Sequence, residues 1–131
     1  MKLRYVIGLS LAPLALAACN QDGPKTAKPV APAAKVVGAP ESCVPIRAFN
    51  QSIVRDEQTI DFIRSGNRAW RNTLPHRCPG LRNSDGFTYE TSLTQLCGTD
   101  IIYVLNRMGG SLQRGAGCGL GQFVPVELER K

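Results

Sequence analysis

The chain has 131 residues, one histidine, five cysteines and 16 Lys and Arg against 10 Asp and Glu, a formal net charge of +6. A chain this short holds one small domain, whose core alone gives modest stability. A single histidine excludes a multi-histidine metal centre, and the charge is too mild to demand nucleic acid as a partner.

Residues 1–18 have the three parts of an export signal. Lys2 and Arg4 give a positive start, Tyr5 to Ala18 is apolar apart from Gly8, Ser10 and Pro13, and small residues lead into Cys19. The run is shorter than the roughly 20 apolar residues a membrane-spanning helix needs. Leu16-Ala17-Ala18-Cys19 resembles the bacterial lipobox. The resemblance implies a diacylglyceryl group on the Cys19 sulfur, cleavage before Cys19, and an acyl chain such as palmitate on the new amine. Cleavage after Ala17 would instead release a soluble protein with an unpaired cysteine in an oxidising space. In the enterobacterial sorting rule, aspartate directly after the cysteine retains a lipoprotein at the inner membrane. Asn20 stands there, so the expected address is the outer membrane of a Gram-negative envelope, facing the periplasm.

Loss of Lys2 and Arg4 leaves 14 basic against 10 acidic residues, net +4. That balance permits attraction to anionic envelope polymers or lipid head groups. With Cys19 assigned to the anchor, Cys43, Cys78, Cys97 and Cys118 remain, none at CxxC spacing. In an oxidising compartment they read as two disulfides, not as a zinc knuckle or a thioredoxin-like motif. The preferred pairing is Cys43–Cys118 with Cys78–Cys97, because the first bond would tie the opening strand to the closing one. Each bond contributes about 2–4 kcal/mol in the chain-entropy picture.

Residues 19–41 read as the lipidated cysteine plus a disordered Pro/Ala-rich tether. They include four prolines and no aromatic residue, so they cannot bury enough apolar surface to offset ordering. Extended at about 3.1 Å per residue, the tether reaches on the order of 60 Å.

Residues 42–131 read as a single all-β domain, a small antiparallel barrel or sandwich of about six to seven short strands. Strand candidates are 46–49, 52–55, 87–91, 101–106 and 122–127, together with a hairpin over Thr59–Thr73. In the hairpin, Ser65-Gly66-Asn67 suggests a three-residue loop. That register sets Phe62 against Trp70, Asp61 against Arg71 and Arg64 against Arg68, the first two pairs favourable. Leu74–Gly80 reads as an ordered loop pinned by Cys78, Ser92–Leu96 as one helical turn, and Gly115–Gly121 as a mobile loop held by Cys118. Around Arg71–Leu81, Leu96-Cys97, Asp100-Ile101-Ile102 and Cys118–Phe123, the domain resembles an uncharacterised family of small exported proteobacterial proteins. The resemblance implies export and cysteine content, and brings no established activity.

Little here points to catalysis. His76 lies between Pro75 and Arg77, where positive charge disfavours both the imidazolium and a bound cation. No serine has a nucleophile-elbow context. Asp56, Glu57, Asp61, Asp85, Glu90, Asp100, Glu127 and Glu129 read as turn-forming or solvated groups. The glycines near Cys118 lack the strand-before, helix-after setting and the lysine of a phosphate loop. No catalytic residue, cofactor or metal site is expected.

Charge is the remaining signal. Arg64, Arg68, Arg71, Arg77 and Arg82 occur with no acid between Phe62 and Ser84. The guanidinium fork binds phosphates and carboxylates bidentately, and Trp70 adds a stacking surface. These six residues are the candidate anion site, weighed against a plain solvated face. The leading expectation is a lipid-anchored, non-catalytic binding or structural module of the envelope, its partner an anionic polymer or another envelope protein. The alternative is an inhibitor of a cell-wall-degrading enzyme. Such enzymes are commonly basic, so a +4 inhibitor would be repelled, and a muramidase inhibition assay separates the two.

Overall fold

The computed structural model describes residues 31–91 and 93–130. The export signal, Cys19 and the first part of the tether lie outside the described residues. Ten strands are present among those described: β1 (Ala34–Val36), β2 (Cys43–Pro45), β3 (Gln51–Val54), β4 (Thr59–Ser65), β5 (Arg68–Thr73), β6 (Gly86–Tyr89), β7 (Gln95–Cys97), β8 (Ile101–Met108), β9 (Ser111–Gly119) and β10 (Phe123–Leu128). They pair antiparallel in three sheets, ordered β1-β10-β5-β4-β3, β6-β8-β9 and β2-β7. The domain is mainly β, as expected. Among the described residues its sheets stay open, with no closed barrel, and its ten strands exceed the expected six or seven.

The β4–β5 hairpin organises the large sheet. Phe62 pairs with Trp70 and Asp61 with Arg71, the two contacts that aromatic and charge matching favour. The loop differs from expectation. The chain turns through Gly66 and Asn67 alone, with Gly66 at φ 59° and Ser65 paired to Arg68. A plain two-residue turn would slide Phe62 opposite Arg71. A bulge at Arg64, between Ile63 and Ser65, inserts the one residue that returns Phe62 to Trp70. Arg64 therefore does not face Arg68.

Residues alternate across a strand, so Ile60 and Phe62 enter the core while Asp61 points to the opposite face. Phe62 is fully buried and meets the rings of Phe49, Phe123 and Phe87 edge-on, at centroid distances of 5.0, 5.4 and 6.3 Å. Each such pair adds about 0.5–1.5 kcal/mol beyond area burial. The smaller sheets close over the same cluster with Val44 from β2, Leu96 from β7, and Ile102 and Val104 from β8.

The disulfides pair otherwise than expected. Cys43 bonds Cys97, and Cys78 bonds Cys118. The strand that pairs with the last one, β10, is β1, which lies upstream of both cysteines in the stretch expected as tether. Cys43, however, lies on the second strand and Cys118 on the ninth. Cys43 is the direct partner of Cys97 in the β2–β7 ladder, which brings their Cα atoms to 4.0 Å.

Four local expectations also change. Ile46–Ala48 is a 3-10 turn following Pro45 rather than a strand. Gln95–Cys97 is strand β7, not a helical turn, because Leu96 is drawn into the core opposite Val44. Ser111–Gly119 is a strand against β8, so the first five residues of the glycine-rich stretch Gly115–Gly121 lie in a strand and Gly117, Cys118 and Gly119 have ladder partners. The ordered fold starts before Ser42: Ala34–Val36 joins the sheet edge, and Glu41 bridges Phe123 and accepts the Trp70 indole N–H at 2.9 Å.

Candidate functional site

The fold scatters the candidate anion-binding residues. Arg64 and Arg68 flank the Gly66-Asn67 turn at one end of the hairpin. Arg77 and Arg82 follow β5, whose six residues carry the chain about 17–20 Å at the usual rise per residue. Arg71 lies between them on the face opposite Phe62. It donates Nε to Asp61 Oδ1 at 2.8 Å, and Nη2 to Asp61 Oδ2 and the Pro32 carbonyl at 3.0 Å. Arg55 Nε reaches Asp61 Oδ2 at 2.8 Å. The Asp61 side chain is fully buried between these guanidinium groups. Arg71 is thus a structural ion-pair partner.

The other members are individually placed. Arg64 lies over the Trp70 ring, 4.3 Å from guanidinium carbon to centroid, a contact of about 0.5–1 kcal/mol at an exposed site. Trp70 is 3% exposed, so its ring serves the core and Arg64 rather than an open stacking platform. Arg77 pairs with Glu57. Arg68 is exposed opposite Glu127 on β10, and Arg82 is exposed in the middle of the 3-10 turn Leu81–Asn83. Arg64, Arg68 and Arg82 form no ion pair among the described residues.

Asp56 and Asp100 sit as their sequence contexts imply, whereas Asp61, expected as a turn-forming or solvated group, is fully buried because Arg55 and Arg71 neutralise it. Asp56 Oδ1 accepts the Gln58 N–H at 2.8 Å, a turn contact, and Asp100 Oδ2 accepts the Cys97 N–H at 2.7 Å just before β8. Glu90 pairs with Arg114, and Asp85 lies 3.8 Å from Arg107. His76 is exposed on the loop after β5. Among the described residues no group of three or more His, Cys, Asp or Glu side chains converges as a metal site.

A concave feature lies elsewhere. A cleft of about 350 Å³ opens over the Cys43–Cys97 bond, walled by Pro75, Gly98, Leu120, Gly121 and Gln122. Its walls are held by backbone contact. Buried Asn72 donates Nδ2 to the Gly121 carbonyl at 2.7 Å and accepts the Gly121 N–H at 2.8 Å. A Cβ on Gly121 would lie 2.2 Å from the Thr73 carbonyl oxygen, and one on Gly98 would lie 2.7 Å from the Gly121 carbonyl oxygen. Both positions demand glycine on steric grounds.

Sequence reasoning did not anticipate this cleft. Its walls come from segments far apart in the chain, and the available signal was Gly121 read as part of a loop. Comparison with protein-family models, with curated proteins and with solved structures finds no match for this chain.

Proposed function

We propose that this is a lipid-anchored cell-envelope protein whose β domain works by binding or by structural support, without catalysis. The observation that carries the reading is cysteine arithmetic in space. Cys43, Cys78, Cys97 and Cys118 pair with one another inside one small domain. Cys19 is then the odd cysteine, and it ends a lipobox-like Leu16-Ala17-Ala18-Cys19. Two acyl chains give stable membrane attachment where one gives only reversible binding. Asn20 favours the outer membrane, with the domain facing the periplasm.

The buried polar groups support a scaffold role. Asp61 is consumed by Arg55 and Arg71, and Asn72 by Gly121. The test is fractionation of cells that express wild type or Cys19→Ala, with labelled palmitate in the medium. Wild type is expected in the membrane pellet and labelled, and Cys19→Ala soluble and unlabelled, both with two intact disulfides. Membrane recovery and label unchanged in Cys19→Ala would exclude the anchor.

A second reading, an anionic envelope polymer as ligand, has as its support Arg64, Arg68 and Arg82, whose guanidinium groups are not spent on carboxylates. The discriminating variant replaces these three with glutamate and leaves Arg71 and Arg77 in their ion pairs.

A further inference from the structure

We propose that the cleft over Cys43–Cys97 is a thiol–disulfide exchange site, at which a partner dithiol reversibly opens this bond while the domain stays folded. The inference is independent of whether Cys19 carries lipid.

Access comes first. Cys43 and Cys97 are both partly exposed and both line the cleft, so an incoming thiolate has a path to the bond. In the other bond Cys78 is fully buried in the hydrophobic cluster, and Cys118, itself partly exposed, packs against that cluster and does not line the cleft. Exchange requires the attacking sulfur to reach a disulfide sulfur. The cleft, with a partly exposed cysteine on each side of the bond where Cys78–Cys118 has one fully buried, therefore separates two bonds whose loop lengths, 54 and 40 residues, are similar.

Retention of the fold comes second. The strands that carry Cys43 and Cys97 are held by more than the bond. Val44 and Leu96, the next pair along the ladder, are both fully buried. The Gly98 N–H donates to the Ser42 carbonyl at 2.8 Å, and the Ile46 N–H to the Thr94 carbonyl at 3.0 Å. Opening the bond removes a covalent link and leaves this ladder, the core and Cys78–Cys118 in place.

The chemistry balances with a dithiol as reductant. Its first thiolate attacks one sulfur of the bond, forming a mixed disulfide and expelling the other cysteine as a thiolate that takes a proton from solvent. The second thiol of the partner then attacks the mixed disulfide. Cys43 and Cys97 gain two electrons and two protons, and the partner leaves as a disulfide. The reverse reaction restores the bond.

The test titrates the folded full chain in detergent with a reduced CxxC dithiol peptide. Samples are quenched by alkylation and mapped by mass spectrometry, with near-ultraviolet circular dichroism recorded in parallel. Cys43 and Cys97 should be labelled at least about tenfold faster than Cys78 and Cys118, with the dichroism signal retained when their labelling is complete. Labelling of all four together, or loss of the signal in step with Cys43 and Cys97, would overturn the proposal. Gln122→Trp, at an exposed position on the cleft wall, keeps all four cysteines and should slow labelling of Cys43 and Cys97 severalfold. An unchanged rate in that folded variant would show that the cleft is not the route.

Discussion

Asp61 is a carboxylate with no solvent exposure on the face of a sheet opposite the core, and it is stable there because Arg55 and Arg71 supply three charge-assisted hydrogen bonds. Removing one partner of a fully buried pair costs about 3–5 kcal/mol. Here the arginine side chains keep 20% and 19% exposure and can partly rehydrate. Asp61→Asn is therefore expected to lower the unfolding free energy by about 2–3 kcal/mol. Glu57→Gln loses a pair whose Arg77 side chain is 78% exposed, and its cost should stay below about 1 kcal/mol. Urea melts of the two variants check this contrast, and equal losses would refute the assignment of Asp61 as the structural hub. The Asp61–Arg71 pairing itself was legible from the hairpin sequence. The third member, Arg55, was not, because it comes from beyond β3 and meets Asp61 only when β3 folds against β4.

The β8–β9 hairpin behaves differently from the other strand pairs. Every residue from Asn106 to Gly117 is exposed, so this arm is held by its ladder and contributes little to the core. Gly109 and Gly110 turn it, at φ 59° and 86°, conformations that glycine alone adopts without strain. Between Tyr103↔Gly117 and Leu105↔Arg114 the register slips, leaving Gly115 and Ala116 opposite Val104. Such a bulge twists an exposed edge and discourages pairing with other chains. Segments with few buried contacts open locally at low free energy. Amide hydrogen exchange should accordingly run fast over Asn106–Gly117 and slowest over Ile60–Phe62 and Trp70–Asn72. Protection of the arm equal to that of the β4–β5 hairpin would contradict this picture. The glycines had marked this stretch as a loop. What makes it a strand is the partner β8, which supplies hydrogen bonds to a segment with weak propensity of its own.

For the molecule as a whole, the boundary of the domain lies upstream of Ser42. β1 adds an edge to the large sheet, and Glu41 satisfies the indole N–H of a nearly buried Trp70. A chain that begins at Ser42 leaves that donor unpaired, a loss of about 1–3 kcal/mol before the strand is counted. For a domain of this size each kcal/mol lowers Tm by roughly 4–8 °C. Truncation to Ser42 should thus lower Tm by about 5 °C or more, while truncation to Ala31 leaves it nearly unchanged. Calorimetry of the two chains decides, and identical Tm values would return Ala34–Val36 to the tether.

Periodicity and composition were enough to read a mainly β domain, its central hairpin with the Phe62–Trp70 and Asp61–Arg71 pairs, and four cysteines held in disulfides. These features depend on neighbours in sequence or on composition, where alternation and side-chain matching act directly. The disulfide partners, strands β1 and β7, the dispersal of the arginines and the cleft over Cys43–Cys97 depend on segments distant in sequence, whereas β9 depends on β8 across the Gly109-Gly110 turn. Ala34–Val36, Gln95–Cys97 and Ser111–Gly119 become strands because β10, β2 and β8 respectively offer them unpaired backbone groups. A short segment with weak intrinsic preference takes the conformation its partner imposes; burial of Leu96 opposite Val44 selects the partner of β7, and closeness along the chain across Gly109-Gly110 selects that of β9.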